Sequence, residues 1–356
     1  MAAVFPAHPE DVDAGVPWHF GDPFGEQRAL AEGRGTVDLS HRQVLEVTGE
    51  DRLSWLDSLT SQLLLHLSPG ASTYSLLLDP HGRVESELHI VALEDRLLIT
   101  LEPGNAAHVQ AFLDRMRFML RVDVRDVTEQ WAVLWQPIRA LHPTLPTIVS
   151  PEAYSGMSQP DAGADVSNYR APQQDQFAGR EVLVARNDKD AFLAEAEPRI
   201  GTWAWNALRV AAGVPRFGVE TDDRTIPHEL GWPGIAIHMK KGCYRGQETV
   251  AKVHTAGRPP RRLVTLLFDG TRDDLPEHGA AVMLDGEAVG FIGMAVQHHM
   301  FGPIASAVVK RGIDPTATLL VDGMHAAQQV VVQQETAGSN RAPVGKVRMR
   351  MLGHGA

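Results

Sequence analysis

Lys241-Gly242-Cys243-Tyr244-Arg245-Gly246-Gln247-Glu248 is the stretch of this chain that says most about its fold and its chemistry, and it holds the only cysteine of 356 residues. Lysine and arginine side chains beside Cys243 favour the thiolate form of its sulfur. The two glycines permit backbone conformations that other residues cannot adopt. The residues from Gln247 onward have a helical pattern, and a helix N-terminus also favours a negative charge nearby. We therefore expect a reactive thiol at Cys243 rather than an apolar core side chain.

A single cysteine excludes several kinds of site. The chain cannot form an internal disulfide, and it cannot hold an iron–sulfur cluster or a zinc ion with four of its own thiolates. A Cys/His pair for nucleophilic hydrolysis would need a base near Cys243, and His238 and His254 are candidates by sequence only. The sixteen histidines show no recognised metal-ligand spacing, so the sequence predicts no metal site. No Walker-type or dinucleotide-type glycine loop is present.

The bulk composition is that of a globular protein, with 44% apolar and 22% charged residues. A chain of this length suggests two or three domains. The formal net charge of −11 argues against nucleic acid as a partner, because a phosphate backbone requires a basic surface. No apolar run has the length of a membrane span, and the first ten residues lack the pattern of a secretory signal. We therefore expect no membrane association and a cytoplasmic location.

Helix and strand patterns alternate through the first two thirds of the chain. Periodic apolar residues predict helices over residues 26–33, 52–67, 105–120, 189–197 and 202–212. Strand patterns occur over residues 41–47, 73–78, 84–92, 96–101, 122–127, 131–135 and 181–185. Many of these strands follow one another directly, which favours the α+β class over a doubly wound parallel sheet.

The remaining sequence divides into an irregular stretch and a β-rich end. Residues 137–175 contain six prolines and are predicted to form a long surface excursion. Short strands separated by Gly/Asp turns are predicted at 263–268, 280–284, 287–294, 304–310 and 318–321, with a last one at 345–351. Regular short strands of this kind indicate a small β-barrel. We thus predict one region over residues 25–255 and a barrel domain over residues 256–356.

The octapeptide matches the K-G-C-[FY]-x-G-Q-E signature of the YgfZ family at all eight positions. Four other segments resemble elements of that family in the same order along the chain. They are residues 77–83, with a D-P-x-G-R turn, residues 208–215, residues 226–230 and residues 286–293. Together the resemblance covers roughly residues 25–330, and the chain is identified as similar to that family.

The resemblance implies a fold and a function. YgfZ proteins resemble the glycine-cleavage T-protein, an aminomethyltransferase that uses tetrahydrofolate. This implies a T-protein-like region of mixed sheets and helices around a central cavity that binds tetrahydrofolate or a derivative, followed by a small barrel. It also implies a role in iron–sulfur cluster assembly or repair, with transient binding to iron–sulfur enzymes or assembly proteins. Cys243 would be the catalytic residue, set in a signature loop of Lys241, Gly242, Tyr244, Arg245, Gly246, Gln247 and Glu248. The implied folate-binding residues are Asp79, Arg83, Arg209 and Glu229.

Two departures from the T-protein pattern argue against glycine cleavage. Ser86 and Glu87 replace the aspartates of its G-G-I-x-D-D turn, and residues 176–182 keep Gly179 and Glu181 but lack its pterin-facing glutamate. The leading hypothesis is therefore a folate-binding accessory protein that acts through Cys243. A folate-dependent aminomethyl or methyl transferase is the alternative, and a non-catalytic folate-sensing module is the third, so enzymatic turnover stays an open question.

Overall fold

The computed structural model describes residues 2–155, 169–256, 258–272 and 274–333. Within these ranges the chain forms six α-helices and sixteen strands. The helices α1 to α6 are Pro23–Ala31, Arg52–Leu59, Ala106–Arg115, Lys189–Glu195, Thr202–Ala211 and Gln247–Ala256. The strands β1 to β8 are Thr36–Asp38, Gln43–Thr48, Ser72–Leu78, Val84–Ala92, Arg96–Leu101, Asp123–Asp126, Trp131–Gln136 and Thr147–Val149. The strands β9 to β16 are Arg180–Ala185, Arg199–Ile200, Arg261–Phe268, Ala281–Leu284, Glu287–His298, Gly302–Lys310, Leu319–Val321 and Met324–Val330.

These strands form two five-stranded sheets and one closed barrel. The first sheet has the order β10-β1-β7-β9-β8, in which only the β1/β10 pair is parallel. The second is antiparallel, with the order β3-β4-β5-β2-β6. The barrel closes in the order β11-β14-β13-β12-β15-β16, with β16 pairing back to β11. The predicted α+β class with a C-terminal barrel is therefore confirmed.

One hydrophobic core joins the two sheets to the barrel. It contains Val37 and Trp135 of the first sheet, Leu76 of the second, and Leu263 and Val308 of the barrel, all almost fully buried. A separate cluster lies within the second sheet and its helices α2 and α3. Burial of this kind is the dominant favourable term in folding. The predicted division at residues 255 and 256 falls at the end of α6 and stays a proposal.

The predicted helix over residues 52–67 is wrong in its second half. α2 ends at Leu59, because Thr60 has an extended backbone, with φ −120° and ψ 166°. Ser61 then donates from its hydroxyl to the carbonyl of Ala236 at 2.7 Å, and Gln62 donates from its backbone to Ser75 at 3.0 Å. Leu63 is exposed as a result. Long-range hydrogen bonds thus outweigh the helical spacing of the leucines.

Other boundaries differ in smaller ways. α3 ends at Arg115 instead of residue 120, and Phe118 has a φ of +46°, which a helix cannot accommodate. The predicted excursion at 137–175 contains β8, which pairs with β9, and a short 3-10 helix. Strand β16 has no counterpart among the sequence predictions, and the predicted strand at 345–351 lies outside the described residues.

Candidate functional site

The signature loop packs directly on the turn at residues 79–83. Gly246 has a φ of +80°, and a Cβ at this position would lie 2.5 Å from the carbonyl oxygen of Asp79. Gly82 has a φ of +79°, and its Cβ would lie 2.7 Å from Cβ of Thr249. Contacts shorter than 3 Å are not tolerated by a side chain, so only glycine fits at either position. Two segments that the sequence analysis singled out separately are thus in backbone contact.

Asp79 organises this turn through its carboxylate. Its Oδ1 accepts hydrogen bonds from the backbone N–H groups of His81 and Arg83, both at 2.8 Å. Such a side-chain-to-backbone bond is a common way to fix a tight turn. Arg83 itself is exposed, and its guanidinium reaches the carbonyl oxygen of Asp223 only at 3.5 Å. The structure therefore gives Asp79 a structural role and leaves the side chain of Arg83 at the surface.

Cys243 is exposed, and so is its neighbour Gly242. The cations around it are largely engaged elsewhere. The ammonium group of Lys241 is buried and donates to the carbonyls of Thr60 and Gln62 at 2.9 and 2.8 Å, as well as to that of Asp57. Burial lowers the pKa of Lys241.

Arg245 forms an ion pair with Glu85 at 2.6 Å. Lys240 is exposed. Lys241 and Arg245 therefore hold the loop in place as well as contributing positive charge.

The rest of the loop supports this arrangement. Tyr244 is buried beneath the ammonium group of Lys241, 5.5 Å from its ring centroid, and burial raises the pKa of Tyr244 well above its usual value. Gln247 donates from its side chain to the carbonyl of Lys241 at 3.2 Å. Glu248, at the start of α6, is exposed. The cysteine is thus displayed on a loop fixed at both ends.

A small cavity lies between the two five-stranded sheets. Aromatic rings line it from four different segments, namely Tyr74, Trp135, Phe177 and Trp205. Six charged or titratable side chains line it as well, namely Arg42, Glu87, His89, Glu181, Arg209 and Arg216. The free space is about 20 Å³, which is room for about one water molecule.

Glu181 is the centre of the ionic network around this cavity. Its carboxylate accepts from Arg42 at 2.5 Å, from Thr100 at 2.6 Å and from Nδ1 of His89 at 2.7 Å. Burial alone would raise the pKa of Glu181, but the positive charges of His89 and Arg42 outweigh it and hold the pKa at about 2. Burial would likewise lower the pKa of His89, yet Glu181 raises it to about 9. His89 is therefore an imidazolium at neutral pH, stacked on the ring of Tyr74 at 3.7 Å.

Three polar groups of the cavity wall are not fully hydrogen-bonded, namely Nε of Arg42, Nε1 of Trp205 and the carboxylate of Glu87. Nε1 of Trp205 has no hydrogen-bond partner, and the residue is buried, with only 2% of its surface exposed. The carboxylate of Glu87 forms an ion pair with His89, but at 3.6 Å from Nε2 it is beyond hydrogen-bond distance. An unpaired buried donor costs free energy, so an acceptor beside Nε1 of Trp205, either a water molecule or a ligand atom, would be favourable.

Arg209 and Glu229, the two other predicted folate-binding residues, do not lie together. Arg209 lines the cavity, but its guanidinium is 1% exposed and donates to both carboxylate oxygens of Glu220 at 3.0 Å. Glu229 is fully buried at the junction with the barrel, where it pairs with Arg261 at 2.8 Å. Their assignment to folate remains a prediction, as does that of Asp79 and Arg83.

Sequence reasoning did not single out His89, Tyr74 or Trp205. They come from β4, β3 and α5, so no local spacing relates them. One signal was available: Glu87 and His89 are polar residues two apart in a strand whose residues are almost all buried, themselves included. Alternation places such a pair on one face of the sheet. Among the described residues no group of three or more His, Cys, Asp or Glu side chains could hold a metal ion, and no helix is long and apolar enough to span a membrane.

Comparison with known proteins agrees with this architecture. Residues 16–135 match the family model described as the GCVT N-terminal domain. An aminomethyltransferase of Streptomyces coelicolor is 26% identical over 323 residues, which is 83% of this chain and 83% of that protein. An aminomethyltransferase of Geobacillus kaustophilus is 27% identical over 304 residues, 79% and 80% of the two chains. A putative chloroplastic transferase of Arabidopsis thaliana is 25% identical over 284 residues, 74% of this chain and 62% of that protein.

The crystal structure of the glycine cleavage system aminomethyltransferase T from Bartonella henselae superposes with a TM-score of 0.69. The alignment covers 95% of this chain and 94% of that one, at 18% identity, and so establishes the fold alone. The sequence matches and the superposition agree on one architecture. This chain is thus similar to the GCVT N-terminal domain over residues 16–135 and shares the fold of that crystal structure.

Proposed function

We propose that this chain binds a reduced folate, with the pterin ring in the cavity between the two sheets. The observation that carries the proposal is the unpartnered Nε1 of Trp205, which can donate to a ring nitrogen or carbonyl of a pterin. Aromatic side chains on several sides suit a flat heterocycle. Glu87 offers a carboxylate to the N–H groups of such a ring. The donor and acceptor set of the cavity therefore fits a pterin.

The free space does not fit one without movement. Ligand pockets usually have volumes of about 300 Å³ or more, whereas this cavity has about 20 Å³. Side chains of the wall must therefore move apart when a folate enters. Arg216 belongs to this wall and is bound to Glu102 at 2.7 Å and to Asp13 at 3.0 Å. Binding would have to be strong enough to offset the loss or rearrangement of such contacts.

Titration with tetrahydrofolate by calorimetry under anaerobic conditions tests the proposal. Trp205→Phe keeps an aromatic ring and removes the donor, and we expect it to weaken binding about three- to tenfold. Trp131→Phe is the matched control, because Trp131 packs against the same core and does not line the cavity. Equal affinities of the two variants, or the lack of saturable binding by the wild type, would contradict the proposal.

One use of the bound folate is in the assembly or repair of iron–sulfur enzymes of the YgfZ type, acting through Cys243. The exposure of this thiol on a loop fixed by Gly246 favours it, together with the complete signature around it. A strain that lacks the gene should lose activity of iron–sulfur enzymes under oxidative stress, and Cys243→Ala should fail to restore it. Normal enzyme activity in the deletion strain would exclude this use. Full rescue by Cys243→Ala would instead favour a folate-sensing module without thiol chemistry.

The second candidate is a folate-dependent transfer of a one-carbon unit. The relatives favour it over the first, since those reported above from two bacteria are named aminomethyltransferases. The position of Glu87 in the cavity wall also supports it, because a carboxylate there can accept a proton from the reacting nitrogen. Purified protein should then transfer an isotopically labelled methyl or aminomethyl group to tetrahydrofolate, and Glu87→Gln should slow the transfer more than it weakens folate binding. The absence of transfer from every donor tested would count against this candidate.

A further inference from the structure

A second cleft lies apart from the central cavity, where the N-terminal segment meets α5 and the barrel. Its volume of about 400 Å³ is within the range of small-molecule pockets. Residues 10–13 and Trp18 line it from the N-terminal segment, Trp203 and Asn206 from α5, and Met294 from β13. The proposed folate site touches this cleft only through Asp13, whose ion pair with Arg216 connects the cleft to the cavity wall.

Two indole rings are fixed in its wall. The ring centroids of Trp18 and Trp203 are 6.0 Å apart, and the ring planes are inclined by 55°. The backbone N–H of Trp203 donates to the carbonyl of Trp18 at 3.0 Å. Gly201 permits this close approach, since a Cβ there would lie 2.0 Å from the same carbonyl oxygen. The backbones of the two tryptophans are therefore held together, with their rings close and inclined to each other in the wall of the cleft.

The charge of the lining is negative. Glu10, Asp11 and Asp13 contribute carboxylates, and the described residues of the lining include no lysine or arginine. Asp13 is already engaged, because it binds Arg216 and His41 at 3.0 Å and Asn206 at 2.6 Å. Glu10 and Asp11 are exposed and leave the cleft with an uncompensated negative charge.

His278 is the other titratable group of the lining, and its Nδ1 lies 2.8 Å from the carbonyl of Gly293. Acidic residues are common in a chain with a net charge of −11, so what distinguishes this cleft is their combination with two indoles.

We infer that this cleft binds a small organic cation that carries a methylated ammonium group. Indole faces attract such cations through their quadrupole, and they do so most strongly when the cation is partly desolvated, as in a cleft. The carboxylates of Glu10 and Asp11 attract cations over a longer range and repel anions. A folate, with its carboxylate tail, is therefore a poor occupant of this cleft. The two sites are separated by α5, in which Trp205 faces the cavity and Asn206 the cleft.

Choline is a suitable probe, and neohexyl alcohol is its uncharged isostere. Binding of each to the full chain can be measured by ligand-observed NMR at constant ionic strength. We expect saturable binding of choline and an affinity for neohexyl alcohol lower by about tenfold. The double substitution Glu10→Gln and Asp11→Asn should weaken choline binding by about threefold or more. Trp203→Leu should weaken it by about fivefold.

Two controls separate this site from a general charge effect and from the cavity. Glu94→Gln with Glu129→Gln makes the same change in net charge at exposed positions far along the chain and should leave the affinity for choline unchanged. Trp205→Phe should leave it unchanged as well. Unfolding midpoints in urea show whether each variant is folded. If Trp203→Leu is unstable, the double substitution at the exposed residues Glu10 and Asp11 still tests the proposal. Equal binding of the two probes, equal losses in the two acid-to-amide pairs, or no saturable binding of choline would overturn the inference.

Discussion

Replacing Gly246 with alanine should disrupt the contact between the signature loop and the turn at residues 79–83. The new Cβ would be 2.5 Å from the carbonyl oxygen of Asp79 and 2.9 Å from Cα of Gly82. Both neighbours are backbone atoms, so neither can rotate away as a side chain would. The loop that carries Cys243 would have to shift as a unit.

The size of the effect follows from a backbone contribution, which is net of the effect on the unfolded chain, and from a packing contribution. A φ of +80° disfavours alanine by about 1–2 kcal/mol. Alanine also reduces the conformational entropy of the unfolded chain, which offsets roughly 0.4–1 kcal/mol of this loss. Overpacking adds about 1–3 kcal/mol. Gly70 has the same φ of +80° and no atom within 4 Å of a Cβ, so Gly70→Ala carries the first contribution alone. We therefore expect Gly246→Ala to lower the free energy of unfolding by about 2–4 kcal/mol and Gly70→Ala by about 1 kcal/mol.

Urea unfolding of the two variants measures this difference directly. Combining Gly246→Ala with Gly82→Ala adds a second test, because residues in contact give non-additive losses of about 0.5 kcal/mol or more. The double variant should lose less than the sum of the single losses, since the loop is already displaced in either one. Equal losses for Gly246→Ala and Gly70→Ala, or strict additivity of Gly246→Ala and Gly82→Ala, would refute the proposed contact.

Three further predictions concern buried titratable side chains. His228 is fully buried, and burial together with His254 lowers its pKa to about 3, so the folded state resists a proton that the unfolded state accepts near pH 6.5. Through His228, the free energy of unfolding of the wild type should therefore fall by about 1.4 kcal/mol per pH unit below about pH 6.5. Between pH 7 and pH 5, measured by urea unfolding, the decrease should be smaller for His228→Leu than for the wild type. Lys241→Met should lower the free energy of unfolding by about 2–4 kcal/mol by leaving buried carbonyls without a donor, whereas the exposed Lys240→Met should cost under about 0.5 kcal/mol. Arg261→Met should cost about 3–5 kcal/mol by leaving buried Glu229 without its cation, and adding Glu229→Met should restore much of the loss; no restoration would contradict the pairing.

The sequence predicted the elements well and their ends less well. Most strands and all six helices had a counterpart, because apolar periodicity reports which face is buried. The end of α2 at Leu59 was not predictable, since it depends on hydrogen bonds from Ser61 and Gln62 to residues far along the chain. Strand β8 was not predicted because it lies in a proline-rich segment, and its pairing with β9 is also a long-range contact.

The candidate site divides in the same way. The signature loop and the turn at 79–83 were visible as local motifs, but their contact through Gly82 and Gly246 was not. The ionic network around Glu181 draws on Arg42, His89 and Thr100, which lie on three other strands or loops. The residues of this network have no regular spacing in the sequence, so the sequence alone does not predict it. They come together only because the two sheets pack face to face.

The exposed thiol of Cys243 has a consequence for recovery from oxidation. Oxidation converts a thiolate to a sulfenic acid, which a second thiol can reduce by way of a disulfide. This chain has no other cysteine, so it cannot supply the resolving thiol itself. Glutathione or a thioredoxin-like reductant would have to reach the loop from outside, and the exposure of Cys243 leaves that approach open. The lifetime of the oxidised protein is thus set by its surroundings rather than by its own fold.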